Sequence, residues 1–352
     1  PIQVGRYIWL DGLKRGIFTS HSVLLTNLIG PPGLLLHLAT CALFRKPLNP
    51  PESPPSSPPP VMRGGNTRMA ASDCSSLLLS LFGSETVNPS KVAVACSETI
   101  EWFDMSSGVV RGRAEVLKLL EGKFPDGSGL QIERLSDGSQ SSGFTWHRVS
   151  SSSDLIGLRG TLYAEVDDTG KLCYVQEGSE PLFKPGEATE ALLKAVTSGA
   201  SEEKPQPTYT QATPTTAEGI VRYLWKEAYP KGAGPEEALR LFAEAIRYED
   251  FNYPKPFIGK PAVTDFLNAF DIPGIEFVPQ RVSEGARACC FTWLVKVNGA
   301  DGPSGISFYE VDETGKICFI RDIPASSIRP APLLALATLK DPALRVFTPR
   351  KH

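Results

Sequence analysis

The sequence predicts an α+β protein: two tandem domains, each made of helices followed by a curved antiparallel sheet, behind an N-terminal transmembrane helical segment. Three observations predict this. Blocks of sequence recur at offsets of 145–147 residues, and within each copy helical spacing gives way to period-2 alternation. Residues Ser22 to Phe44 run for 23 positions without Asp, Glu, Lys or Arg. The length of 352 residues is ample for two cores. The net charge of −3 gives no overall reason to expect a nucleic-acid partner.

In chain order, the apolar run comes first. At 1.5 Å rise per residue it is long enough to cross a hydrocarbon core of ~30 Å. Pro31 and Pro32 remove two backbone donors and should kink the helix between Gly30 and Gly33. Lys14 and Arg15 before the run and Arg45 and Lys46 after it leave its orientation unset. A whole amphipathic segment precedes the run, which excludes a signal peptide. Between Pro47 and Pro60, eight of fourteen residues are Pro, so 47–72 reads as an extended, semi-rigid linker.

The N-terminal stretch RYIWLDGLKRGIFTSHSVLLTNLIGPPGLLLHLAT resembles the C-terminal end of the abscisic-acid-deficient-four-like family. That family comprises small four-span plastid membrane proteins implicated in forming neoxanthin from violaxanthin. The resemblance covers residues 1–46. It implies a longer gene product that is multi-pass in a chloroplast membrane, with the two repeats in the stroma. It also implies that any chemistry retained here would fall to Arg6, Asp11, Lys14, His21 and His37, since polar groups within a membrane are functional candidates.

The repeats follow, at 73–187 and 216–326, joined by a polar linker at 188–215 and followed by a tail at 327–352. Glu98-Thr-Ile-Glu-Trp-Phe-Asp104 matches Glu244-Ala-Ile-Arg-Tyr-Glu-Asp250, and Phe144-Thr-Trp146 equals Phe291-Thr-Trp293. Val166-Asp-Asp-Thr-Gly-Lys-Leu-Cys173 matches Val311-Asp-Glu-Thr-Gly-Lys-Ile-Cys318. In the second copy, Gly219–Trp225 and Pro235–Ala245 have helical spacing, and Pro261 begins a short helix over 262–270. Strands are expected at Ile275–Val282, Ala288–Val297, Ile306–Val311 and Lys316–Arg321. The last two are joined by Asp312-Glu-Thr-Gly315, a tight turn whose glycine accepts positive φ.

This order, with Tyr-Glu-Asp-Phe, a Gly-Lys/Arg helix start and a late Val-Asp-Glu-Thr-Gly-Lys-Ile hairpin, resembles the nuclear-transport-factor-2-like superfamily, SnoaL-like polyketide cyclases included. The likeness is to its plant and algal plastid members and implies two cone-shaped domains. A sheet wrapped round helices there leaves an apolar pocket, and burial can tune an acid or histidine for proton transfer. The superfamily hosts isomerases, cyclases and inert binding modules, so the fold does not choose among them.

The catalytic candidates are Asp250, Asp322, Asp104 and His147. Tyr248, Trp293, Tyr309, Trp102 and Trp146 are the ligand-binding candidates, with Tyr253 and Glu177 beside them. Cys289, Phe291, Trp293, Val295 and Val297 share one strand face by alternation, whereas His147 faces away from Trp146. The bland alternative has Asp104 and Asp250 fixing turns, Trp146 and Trp293 in the core and His147 solvated. The seven cysteines show no metal-ligand spacing and suit free thiols in a reducing compartment. No nucleotide-binding glycine motif occurs, and no metal, cofactor or nucleic acid is expected. Three functions remain: membrane-tethered binding of a carotenoid or other apolar isoprenoid, neoxanthin formation with the chemistry in the membrane part, and a scaffold whose cones pack on each other or on further copies.

Overall fold

The structure, a computed structural model, describes residues 73–124, 128–149, 156–181, 184–197 and 207–325. The apolar N-terminal run, the Pro-rich linker, Arg6, Asp11, Lys14, His21, His37 and the C-terminal tail lie outside the described residues. Among those described, no helix is long and apolar enough to cross a membrane.

The first cone begins with two short helices, α1 (Cys74–Phe82) and α2 (Pro89–Ala95). Helix α2 starts where sequence chemistry places it: Asn88 accepts the Lys91 N–H at 3.1 Å, and Pro89 needs no donor in the first turn. Strands β1 (Cys96–Asp104) and β2 (Gly108–Arg111) follow, then α3 (Arg113–Lys123) and a meander of β3 (Leu130–Leu135), β4 (Ser141–Val149), β5 (Ile156–Val166) and β6 (Leu172–Ser179). Helix α4 (Glu187–Val196) begins at the last residue assigned to the first repeat and continues into the stretch expected to be a linker. The Gly186 N–H just before it bonds the Asn252 carbonyl at 2.8 Å, so this segment is docked on the second cone.

The second cone repeats the plan. Helix α5 (Ala217–Tyr223) is capped by Thr216, whose hydroxyl accepts the Gly219 N–H at 3.1 Å. It runs into a π-helical turn at Leu224–Ala228 and a 3₁₀ turn at Tyr229–Lys231. Then come α6 (Pro235–Arg240), β7 (Phe242–Asp250), β8 (Phe257–Ile258), α7 (Lys260–Ala269), β9 (Ile275–Val282), β10 (Ala288–Val297), β11 (Ala300–Val311) and β12 (Ile317–Pro324). The β11–β12 turn is pinned as expected. Asp312 accepts the Thr314 and Lys316 N–H groups at 2.8 and 3.1 Å, and Gly315 takes φ 74°.

Two expectations are corrected. The helix read over Pro235–Ala245 ends at Arg240, and the chain is a strand from Phe242. Glu-Ala-rich sequence favours helix, but Phe242, Ile246 and Tyr248 pack into the core from a strand, and packing overrides propensity. Each sheet is also mixed rather than antiparallel. The strand orders are β2-β1-β6-β5-β4-β3 and β8-β7-β12-β11-β10-β9, with β1–β6 and β7–β12 parallel. The chain enters each sheet from its helices and lays the first long strand beside the last, so these two run the same way.

Both cones belong to one compact unit, each with its own core on the helix side of its sheet. The opposite sheet faces pack together through Met105, Tyr163, Phe251, Cys290, Phe308 and Phe319. Equivalent residues return each other's contacts across this seam. Arg134 pairs with Glu310 at 2.8 Å and Arg281 with Glu165 at 2.6 Å. Gln176 donates to the Gly305 carbonyl at 3.2 Å, and Arg321 to the Gly160 carbonyl at 3.3 Å.

Candidate acid–base pocket

Strand alternation builds the site. On β10, Phe291 and Trp293 point to the helix side while Cys290 points to the seam. On β11 the same rule turns Ser307 and Tyr309 inward, and on β7 and β12 it brings Tyr248, Asp250 and Asp322 to one wall. Asp250 and Asp322 are register partners across the parallel β7–β12 pair, so their side chains emerge together. Tyr248, Asp250, Trp293, Ser307, Tyr309 and Asp322 line a cavity of about 600 Å³ inside the second cone. Its walls are largely aromatic. Trp225, Phe277 and Trp293 lie edge to face on one side, and Tyr248, Phe266 and Phe270 pack on the other. Gly305 lets the Trp293 ring lie on β11, because a Cβ there would stand 2.0 Å from the ring.

The two carboxyls are wired differently. Asp322 accepts from the Tyr248 hydroxyl through one oxygen and from the Ser307 hydroxyl through the other. Ser307 is itself oriented by the Trp293 Nε1–H, which donates to it at 2.7 Å. Asp250 accepts the Asn252 backbone N–H at 2.7 Å. Burial raises the Asp250 carboxyl and the charge of Asp322 raises it further, to about 7, with Asn252 and Lys184 only partly offsetting them. Burial also raises Asp322, to about 6, while the bonds from Ser307 and Tyr248 draw it back. Two like charges at one site, neither with a cation in hydrogen-bond contact among the described residues, disfavour double ionisation. The arrangement therefore holds one proton near neutrality. Asp322 takes both hydroxyl bonds as the anion, and Asp250 carries the proton.

The first cone has the same acidic pair and a different outcome. Asp104 and Glu177 are register partners on β1 and β6, and the Lys123 ammonium stands between them at 2.7 and 2.8 Å. Burial alone would raise Asp104, but Lys123 and Ser106 hold its carboxyl below the usual value. Trp102 donates to Glu177 at 3.3 Å. Asp104 also accepts the Ser106 N–H at 2.7 Å, the turn-fixing role that the bland reading gave it. Trp102 and Trp146 are 1% and 2% exposed within a packed core, so the structure places these two ligand-binding candidates away from any described cavity wall. His147 lies on the seam side, with Nδ1 3.0 Å from Glu133, which also pairs with Arg321. It is remote in role from either acidic pair.

Of the sequence candidates, then, Asp250, Asp322, Tyr248, Trp293 and Tyr309 come together in one pocket, while Tyr253 lies next to it. Sequence reasoning missed Ser307, Trp225, Phe270 and Lys123. Ser307 was within reach, being two residues before Tyr309 on one strand. So was Lys123, because α3 and α7 begin 147 residues apart and Lys123 then matches Phe270. The six described cysteines are all free, and burial pushes the Cys289 thiol up to about 12.

Among families, the ABA DEFICIENT 4-like family matches residues 2–37, about a tenth of the chain. No curated protein matches the sequence. Among solved structures, the chain is similar to a provisionally named ketosteroid isomerase from Kribbella flavida. The identity is 20% and the TM-score 0.28, with 34% of this chain and 87% of that one covered. It is also similar to a provisionally named SnoaL-like polyketide cyclase from Jannaschia (13% identity, TM-score 0.25, covering 37% and 95%). A third likeness is to an NTF2-like protein of unknown function from Cytophaga hutchinsonii (15%, TM-score 0.26, covering 32% and 99%). These likenesses concern the fold, and no chemistry is carried across from them.

Proposed function

We propose that the second cone binds one compact apolar molecule and moves a proton on it, with Asp250 and Asp322 as the acid–base pair. The observation that carries this reading is a pair of buried, register-paired carboxyls on the wall of an aromatic cavity of about 600 Å³. That volume suits a single drug-sized ligand. A carboxyl whose pKa stands near neutrality is an effective proton carrier. The first cone, with its acidic pair neutralised by Lys123, supports the second by covering the outer face of its sheet.

The likeness of residues 2–37 to a plastid membrane family supports a place at the chloroplast membrane, where isoprenoids dissolve. The ligand proposed there is an isoprenoid, or one cyclic end group of a carotenoid with the rest of its chain outside the cone. A role in neoxanthin formation with the chemistry in the membrane part rests on residues 1–46 and is a separate reading, favoured by the same family match.

Proton exchange tests the pocket without the natural substrate. The full chain, incubated in D₂O with the cyclic ketone 2-tetralone, is expected to speed exchange of the protons beside the carbonyl, followed by NMR. Asp250→Asn should slow that exchange by at least about 100-fold. Binding without exchange would leave a ligand carrier, and neither binding nor exchange would overturn the reading.

A further inference from the structure

Not every hydroxyl on the cavity wall is committed within the protein. Tyr248 and Ser307 are both committed to Asp322. Tyr309 also lines the cavity and is 3% exposed, yet its hydroxyl has no hydrogen-bond partner among the described residues. A buried tyrosine hydroxyl normally has one. Trp225, on the same wall, has a buried Nε1–H without a partner. That indole acts on the Tyr309 hydroxyl as a hydrogen-bond donor would and lowers its pKa, though the N–H falls short of a full hydrogen bond. An unpartnered indole N–H and a tyrosine hydroxyl with no protein acceptor among the described residues therefore lie together on the cavity wall.

The first cone shows that the fold itself does not require them. Phe82 packs against Phe144 at 5.5 Å as Trp225 packs against Phe291 at 6.0 Å, so the indole has a phenyl ring as its counterpart. Ala164, register partner of Val175 on β6, occupies the place that Tyr309, register partner of Ile320 on β12, holds in the second cone. The Trp225 N–H and the Tyr309 O–H have no counterparts in the first cone, where the unpartnered indole is that of Trp146 instead. Leaving buried polar groups unpaired costs stability, and an arriving acceptor would recover it.

We propose that Tyr309 is the pocket's oxygen anchor: its hydroxyl donates to an acceptor oxygen on a compact apolar ligand, and the Trp225 indole supports that hydroxyl from behind. An N–H directed at the tyrosine oxygen leaves the hydroxyl proton for the ligand. The ligand class is thus an apolar ring system carrying a carbonyl, ether or epoxide oxygen, set between two aromatic walls with Asp250 reaching another part of it. This rests on the reading that the cavity holds a ligand.

Two matched probes test it on the full chain by titration calorimetry. One is 2-acetylnaphthalene; the other is 2-isopropenylnaphthalene, which has CH₂ in place of the carbonyl oxygen. Wild type is expected to bind the ketone about tenfold more tightly than the hydrocarbon. Tyr309→Phe should erase that preference while changing hydrocarbon binding by less than about twofold, and Trp225→Phe should reduce the preference by about threefold. Equal binding of the two probes by wild type, or equal loss of both in Tyr309→Phe, overturns the anchor but leaves the ligand pocket standing. If neither probe binds wild type, the pocket reading fails and the anchor with it.

Discussion

The two cones share strand order, hairpin chemistry and an acidic pair on matching strands, and they differ in what faces that pair. At the end of α3 stands Lys123; at the equivalent position after α7 stands Phe270. In the first cone an ammonium satisfies Asp104 and Glu177, and the interior closes over an ion pair. In the second the carboxyls have hydroxyls, Asn252, each other and the charge of Lys184 at a greater distance, next to a cavity that Phe270 helps to line. One side chain at a helix end thus separates a structural salt bridge from a candidate reaction site. A buried carboxylate next to a cation stays ionised and inert, whereas without one it holds a proton that it can give away.

The largest effect should come from removing the cation. Lys123→Met leaves two buried carboxylates unpaired and should cost about 3–5 kcal/mol at pH 7, read from urea unfolding. Asp104 is held below its ordinary value, so its stabilisation exists above the unfolded pKa and is lost as pH falls through the folded one. The gap between wild type and variant should therefore narrow in acid. An unchanged urea midpoint at pH 7 would show that the ion pair does not hold the first cone together.

The second cone should respond to pH with the opposite sign. The Asp250 carboxyl is raised to about 7, so the folded state binds a proton that the unfolded chain has released. The Asp250 contribution to stability should fall as pH rises from about 4 to about 7 and then level off. Asp322 adds a fall of the same sign up to about 6. Asp250→Asn should remove most of the slope and gain about 2–4 kcal/mol at pH 8. A difference between wild type and Asp250→Asn that stays constant across that window would refute the raised carboxyl.

Converting one cone toward the other is the sharper test. Phe270→Lys places an ammonium where the first cone has one. It should flatten the second cone's pH slope and weaken 2-acetylnaphthalene binding by at least about tenfold. The smallest effects belong to the seam. Arg134 and Arg281 make equivalent, partly exposed pairs with Glu310 and Glu165. Their alanine variants should each cost less than about 1 kcal/mol, and by similar amounts. A large difference between them would mean that the two halves of the seam are not energetically equivalent.

Much of this was legible before any coordinates. The repeated Val-Asp-Asp/Glu-Thr-Gly-Lys hairpins located β5–β6 and β11–β12, and alternation along Ala288–Val297 put Phe291 and Trp293 on the inner face. Strand β7 was not legible, because Ala-Glu-Ala reads locally as helix and only packing of Phe242, Ile246 and Tyr248 makes it a strand. Nor was the meeting of Asp250 with Asp322. These residues are 72 positions apart, and a parallel pairing of first and last strands leaves no local mark.

The sequence by itself determined that there are two copies, which faces of their strands turn inward, and where their tight turns fall. These depend on periodicity and on residues within a few positions of one another. Only the tertiary structure decided which side chains line the aromatic cavity of the second copy and which acidic pair meets a cation. Charge compensation acts through space, and the same pair of acids is quenched or poised according to one residue that folding brings to it from another element.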